Sequence, residues 1–124
     1  MVKRMDLAWI TVNDLEKSKK FFTEVLGLKV SSGSDEHGWL ELQGKDGGAL
    51  LGVGQSRGGN QDQVNPGQNA IMTMTVDDIV QAKEMLETKG IKIVGDIIEV
   101  PGHVKMLMFT DLDGNKFQVV QMLG

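Results

Sequence analysis

Few side chains in this sequence are suited to acid–base or nucleophilic chemistry. There are two histidines and no cysteine, which excludes thiolate nucleophiles, disulfides and zinc–sulfur sites. His37 lies in a polar segment (DEHG) and His103 in a loop (PGH), and neither has companion carboxylates at ligand spacing. We interpret both as solvated. His103 is the stronger candidate for a functional role, because its loop leads into the segment of Met106 and Met108 and could reach over a cleft.

Glu41 is the one acid that the pattern places on an apolar face. In the segment WLELQ, residues 39 and 41 share one face of a strand, because side chains alternate between faces. A carboxylate there is either a rim group paired with a lysine, a counter-charge for a cationic ligand, or a general base. Glu41 and His103 are therefore the two candidate catalytic residues.

Trp9 and Trp39 are the only tryptophans of the chain. Indole rings fill cores, but when exposed they stack on planar or cationic ligands. Two interpretations follow, core filling or a stacking clamp, and Met106 and Met108 would add an adaptable wall.

These residues belong to a sequence that contains one unit twice. TVNDL at 11–15 corresponds to TVDDI at 75–79, an offset of 64 residues. After one deletion inside the following helix, GLKV at 27–30 corresponds to GIKI at 90–93. Asp46-Gly47 likewise corresponds to Asp113-Gly114. Such a repeat predicts two copies of one supersecondary unit.

Each copy predicts a βαβββ module. In the first, residues 7–12, 29–32, 39–43 and 49–53 read as strands, and a helix runs from Asn13 or Asp14 to Gly27. In the second, the strands are 70–76, 92–100, 104–110 and 116–122, with a helix from Asp77 or Asp78 to Lys89. We predict a single domain over 1–124, with module 1 at about 5–54, a connector at 55–68 and module 2 at about 69–122.

Period-two alternation divides the strand residues into two sets. The set placed beneath the helices is almost wholly apolar: Ala8, Ile10, Val12, Leu40, Leu42, Met72, Met74, Val76, Leu107, Phe109, Phe117 and Val119. The other set mixes apolar and polar groups, as a ligand cavity does. Its predicted ligand-binding members are Leu7, Trp9, Trp39, Glu41, Leu51, Ile71, Thr73, Met106, Met108 and Gln118. The opposite phase would bury Glu41 and Gln118 unpaired, at roughly 1–3 kcal/mol each.

Composition excludes several classes of partner. The chain carries a net charge of −4 without a basic cluster, so we expect no nucleic-acid partner. No apolar run approaches the length of a membrane span and no signal-peptide pattern opens the chain. We therefore expect no membrane partner, and a cytoplasmic protein.

Two motifs resemble those of the vicinal oxygen chelate superfamily, which includes glyoxalase I, extradiol dioxygenases, fosfomycin-resistance enzymes and bleomycin-resistance proteins. The first is VNDLEKS at 12–18 with Phe21-Phe22, and the second is DLDGN at 111–115, with Leu112 in place of the family's proline. The resemblance covers essentially the whole chain. It implies an α+β fold in which two βαβββ modules form a curved mixed sheet around a cleft, often completed in a homodimer.

The resemblance also implies metal ligands on the first and last strands of each module. The corresponding residues here are Leu7, Leu51, Ile71 and Gln118. Leu and Ile offer no lone pairs, and an amide oxygen is a weak ligand. We therefore expect neither a metal at the family position nor another cofactor.

Three functional hypotheses remain from the sequence. The favoured one is a metal-free protein that binds a small, largely apolar or cationic molecule in the cleft, as bleomycin-resistance proteins do. The second is a glyoxalase-like lyase or isomerase that uses Glu41, His103 or a relocated divalent metal. The third is an accessory subunit with a vestigial cavity.

Overall fold

The first copy of the repeat folds as one βαβββ unit. A computed structural model describes residues 3, 5–62, 64–69 and 71–124, apart from the side chain of Asn60. The chain divides into two compact units, 1–70 and 71–124. The elements of the first are β1 (Leu7–Val12), α1 (Leu15–Lys20), β2 (Lys29–Ser34), β3 (Trp39–Gly44) and β4 (Gly47–Gln55).

The second unit repeats this order. Its elements are β5 (Met72–Thr75), α2 (Ile79–Thr88), β6 (Ile93–Val100), β7 (Val104–Thr110) and β8 (Lys116–Met122). Strand β5 is shorter than the predicted 70–76, and Ala70 lies outside the described residues. The strand orders are β1-β4-β3-β2 and β5-β8-β7-β6, with the first and last strands of each module parallel and the other pairs antiparallel. The predicted α+β class with two βαβββ modules is confirmed. No helix among the described residues is long and apolar enough to span a membrane.

The one-residue offset between the two helices has a visible structural consequence. Helix α1 continues as a π-helical turn, Phe21–Val25, in which the Leu26 N–H donates to the Phe21 carbonyl at 3.3 Å. A π-helical turn accommodates one extra residue within a helix. It also orients Phe21 and Phe22 into the core, where their rings meet edge to face at 5.1 Å. The predicted deletion is therefore real, and module 1 contains the insertion.

Each helix begins with the same pair of contacts. Asp14 caps α1 by accepting the Lys17 N–H at 3.1 Å, and Asp78 caps α2 by accepting from the N–H groups of residues 80 and 81. A glutamine of the last strand accepts the first N–H of each helix. Gln55 accepts from Leu15 at 2.8 Å, and Gln121 accepts from residue 79 at 2.9 Å. These side chains join each helix to its sheet.

Most of the set predicted to lie beneath the helices is buried. Eight members of the helix-side set are buried: Ile10, Val12, Leu40, Leu42, Leu107, Phe109, Phe117 and Val119. Helix α1 contacts β3 and β4, while α2 contacts β6, β7 and β8. Ala8 is exposed near the start of β1, and Met72, Met74 and Val76 are half-buried. The opposite face of each sheet is thereby left for other contacts.

The DLDGN turn is held by a buried carboxylate. Asp111 accepts the backbone N–H groups of Asp113 and Asn115, each at 2.9 Å, and the Asn115 side-chain amide at 3.0 Å. Burial raises the pKa of Asp111 above 3.8, and the hydrogen bonds from Asn115 and Asp113 partly oppose this rise. Leu112, where the family has proline, is exposed. The turn depends on Asp111 and Asn115, so proline is not required.

We expect Gln55→Ala to lower the free energy of unfolding by about 1–2 kcal/mol, because the first N–H of α1 loses its acceptor and the Asn13 and Ser56 carbonyls lose the Gln55 amide as donor. Urea denaturation measures this change. Gln43→Ala is the control, since among the described residues the Gln43 side-chain amide makes only a long contact of 3.5 Å, with the Gly48 carbonyl. Equal effects of the two substitutions would contradict the capping role.

We expect the carboxyl group of Asp111 to titrate in the folded protein with a pKa above 3.8, because burial disfavours the charged form. The stabilisation from this group is then complete below pH 3.8 and is lost as the pH rises through the folded-state pKa. Carbon-detected NMR measures the titration, with the urea-unfolded chain as the reference. A folded-state midpoint at or below the unfolded one would contradict the prediction.

Candidate functional site

One face of the first sheet carries both tryptophans. The register pairs Trp9 of β1 with Gly52 of β4, Glu41 of β3 with the same Gly52, and Trp39 with Gly54. Residues opposite each other on neighbouring strands point to the same side of a sheet. We call this surface, formed by Leu7, Trp9, Trp39, Glu41, Gly52 and Gly54, the tryptophan face.

The Trp39 ring is held in a defined position on the tryptophan face. Its indole N–H donates to Glu41 Oε2 at 2.8 Å. The ring lies against Gly52, since a Cβ built there would be only 2.5 Å from Trp39 Cη2 and 2.6 Å from Cζ2. The hydrogen bond and the missing side chain therefore fix the ring together. One oxygen of Glu41, Oε2, is therefore engaged by Trp39.

Trp9 and Trp39 contact each other directly. Their ring centroids are 6.2 Å apart and their planes are tilted by 60°, within the usual range for aromatic pairs. A ligand sandwiched between two rings needs parallel planes roughly 7 Å apart, twice the van der Waals contact distance. The two rings therefore do not form the predicted clamp. Trp9 remains 38% exposed, so part of its surface is accessible.

The placement of Leu51 with the tryptophans was wrong. Leu51 pairs with Ala8 and Leu42, lies on the helix side and is only 4% exposed. The prediction counted along β4 from Gly47, whereas the pairing makes Gly48 the counterpart of Gly114, which shifts the register by one residue. A shift of one residue moves a side chain to the opposite face. Gly52 is therefore the true counterpart of Gln118.

The second unit presents the corresponding face with different side chains. Met106 and Met108 of β7 occupy the positions of Trp39 and Glu41, and Gln118 pairs with both Met108 and Thr73. The Thr73 hydroxyl donates to Gln118 Oε1 at 3.1 Å. Ile71 precedes β5 and is exposed. These predicted residues share one face of the second sheet, with Ile71 just outside it.

The two histidines lie in exposed turns. His37 is in the turn between β2 and β3, and His103 is in the turn between β6 and β7. The backbone of His103 closes this turn, donating to the Val100 carbonyl at 2.9 Å and accepting from Leu123 at 2.8 Å. His103 precedes Met108 by five residue steps, mostly along strand β7, which is about 17 Å. His103 therefore lies at the opposite end of β7 from Met108 and its partner Gln118.

The positions that the family uses for metal ligands do not suit a cation here. With the register corrected, these residues are Leu7, Gly52, Ile71 and Gln118, and only Gln118 offers an oxygen. That oxygen already accepts from Thr73. Within the described ranges, no group of three or more His, Asp or Glu side chains is placed to hold a metal ion. The donor set therefore does not fit the family's metal.

Gly52 and Gly54 are the site residues that the sequence interpretation missed. A signal for them was present in the segment LGVG at 51–54, where glycines recur with the period of a strand. Two glycines on one face of a strand indicate that another group lies close to the backbone. With two tryptophans assigned to the same face, this pattern indicates an indole packed over the strand.

Comparison with known proteins supports this architecture. A profile described as the Glyoxalase/Bleomycin resistance protein/Dioxygenase superfamily matches residues 4–119. The curated Bacillus subtilis (strain 168) protein described as uncharacterized protein YetH is 25% identical over 123 residues, which cover 94% of this chain and 97% of that protein.

Solved structures of low sequence identity share the fold. A member of the same superfamily from Sphaerobacter thermophilus DSM 20745 superposes with a TM-score of 0.78 at 20% identity, covering 98% of each chain. TnmS3, an antibiotic binding protein from Streptomyces sp. CB03234, superposes with a TM-score of 0.75 at 23% identity, covering 98% of this chain and 99% of that one. With a profile match over nearly its whole length and the fold to accompany it, this chain belongs to the Glyoxalase/Bleomycin resistance protein/Dioxygenase superfamily.

Proposed function

We propose that this protein binds a small, flat, largely apolar or cationic molecule on the tryptophan face. The observation that carries the proposal is the pair of indoles outside the core, with Trp39 held by Glu41 and Trp9 left 38% exposed. Large aromatic side chains on a fixed support, with few polar groups beside them, are typical of ligand sites. The fold that this chain shares with an antibiotic-binding protein is compatible with such a role.

The energetics favour a planar ligand. Stacking on an indole contributes about 0.5–1.5 kcal/mol beyond the burial of apolar area. A cation over the ring face adds about 0.5–2 kcal/mol, depending on its desolvation. Among the described residues, the side chain of Glu41 has a hydrogen bond only from Trp39, through Oε2, so Oε1 can accept from a cationic group. These contributions act on one surface and suit an aromatic or weakly basic compound.

We also propose that this binding does not use the metal of the family's enzymes. The support is the donor set, in which Leu7, Gly52 and Ile71 cannot ligate and Gln118 is paired with Thr73. Three further points stay predictions from the sequence and the family resemblance. They are that Met106, Met108 and Thr73 contact the same ligand, that the protein is a homodimer, and that it is cytoplasmic.

We expect acridine and N-methylacridinium to quench the intrinsic fluorescence of the protein on binding. The chain has two tryptophans and no tyrosine, so its emission reports on the tryptophan face alone. Trp9→Phe should lower the affinity for both compounds about ten-fold, which corresponds to the loss of a stacking interaction with an indole. Isothermal calorimetry measures this independently of the lost fluorophore. Unchanged affinity in Trp9→Phe would place the binding elsewhere and overturn the proposal.

We expect Glu41→Gln to weaken the binding of N-methylacridinium by about 1 kcal/mol, because this cation has no N–H and interacts with the half-buried carboxylate through charge alone. Acridine at mildly alkaline pH, where it is neutral, should bind almost unchanged. Gln still accepts the Trp39 N–H, so the ring keeps its position while the charge is lost. Glu36→Gln is the control, because it removes a charge from the exposed turn of the same hairpin. Equal effects of both substitutions would exclude a specific counter-charge.

A further inference from the structure

We propose that Gly52 determines the specificity of the tryptophan face, and that Trp39 is a positioning residue which occupies the space left by Gly52 and holds Trp9 open to planar ligands. This inference rests on the proposed function and deepens it, because it assigns different roles to the two indoles. Trp9 contacts the ligand, and Trp39 supports Trp9.

The space at Gly52 is occupied by the neighbouring strands. A Cβ at this position would lie 2.5 Å from Trp39 Cη2, 2.6 Å from Trp39 Cζ2 and 2.9 Å from Trp9 Cβ. Contacts this short do not occur in folded proteins, so any side chain at position 52 would displace the Trp39 ring. The backbone of Gly52 is not in the left-handed region, unlike that of Gly48. The restriction at Gly52 is therefore one of space and not of φ.

The second unit shows what the same position does with a side chain. Gln118 pairs with Met108 and Thr73 as Gly52 pairs with Glu41 and Trp9. There the last strand projects its own polar group, which Thr73 holds at 3.1 Å. At the corresponding position of the first unit, Gly52 projects no side chain, and an indole from β3 covers it. The two modules thus present different surfaces from one backbone arrangement.

The geometry selects for flat ligands. Trp9 and Glu41 are two strands apart, on either side of Gly52, so their backbones are separated by about 10 Å. The Trp39 ring lies over the strand between them, in contact with Trp9 and bonded to Glu41. A planar polycyclic compound can stack on Trp9 while its edge extends toward the Glu41 carboxylate. A side chain at position 52 would drive Trp39 outward into that path.

Gly54 supplies a matched control on the same strand and face. A Cβ there would lie 3.6 Å and 3.7 Å from the Trp39 ring and 3.8 Å from the Ile10 carbonyl oxygen, which are ordinary van der Waals distances. Gly54, like Gly52, is outside the left-handed region. Alanine therefore fits at position 54 and does not fit at position 52.

The experiment compares Gly52→Ala with Gly54→Ala in the full-length protein. Two indoles in contact produce an exciton couplet in the circular dichroism spectrum, which Gly52→Ala should abolish and Gly54→Ala should retain. Gly52→Ala should also shift the tryptophan emission to the red and weaken the binding of acridine about ten-fold, while Glu36→Gln, in the exposed turn outside the tryptophan face, should bind acridine within about two-fold of the wild type. A retained couplet and unchanged acridine binding in Gly52→Ala would overturn the inference.

A third variant separates displacement of the ring from general unfolding. Phenylalanine at position 39 lacks the atoms Cη2 and Cζ2 that would meet the new methyl group. Gly52→Ala should therefore lower the melting temperature more in the wild type than in Trp39→Phe, where only the contact of 2.9 Å with Trp9 Cβ remains. Equal destabilisation in both backgrounds would overturn the inference. If Trp9→Phe weakens the binding of acridine but Gly52→Ala does not, the proposed function stands and this inference fails. If neither the wild type nor any variant binds acridine, the proposed function fails. In that case the couplet and the melting temperatures still decide the role of Gly52.

Discussion

The position of the last strand between the first and third strands of each module is the constraint on which this structure depends. Strand β4 pairs with β1 and β3, and β8 pairs with β5 and β7. Whatever these central strands project is flanked by side chains from both neighbours. On the helix side they project Leu51, Phe117 and their apolar neighbours, which form the core. On the other side they set the chemistry of the accessible face.

The last strand also connects each sheet to its helix. Gln55 and Gln121 stand at the ends of β4 and β8, and each accepts the first N–H of the helix of its own module. An unpaired helix N–H away from water is costly, so one glutamine aligns the helix and satisfies the donor at once. This contact has persisted in both copies, whereas the accessible faces have diverged. The repeat therefore preserves the connection between helix and sheet more strictly than the accessible face.

Divergence of the accessible faces explains how a family fold can carry a surface of different chemistry. At the position where Gln118 projects an amide, Gly52 leaves a space that Trp39 fills. The indole is retained by the Glu41 carboxylate at 2.8 Å and by its contact with Trp9. A position that the resemblance associates with a metal ligand has thus become part of an aromatic surface. One absent side chain allows this change without any alteration of the strand order.

The sequence by itself determined the architecture of each module, since that information is local and occurs twice. The capping aspartates, the apolar alternation and the inserted residue of the first helix were all readable, and the structure agrees with them through Asp14, Asp78 and the π-helical turn. The alternation also placed Trp9, Trp39 and Glu41 together correctly, because residues on one strand face follow from the period of two.

Only the tertiary structure decided how the strands align and what the side chains do there. Consecutive glycines at 47 and 48 allowed two registers for β4, and hydrogen-bonded pairing selected the one that places Gly52, and not Leu51, beside Trp9. Composition could not reveal that the tryptophans contact each other at 60° or that Glu41 is bonded to Trp39. Such orientations depend on the space between neighbouring side chains. Gly52 leaves this space because it has no Cβ, and the Trp39 ring occupies it.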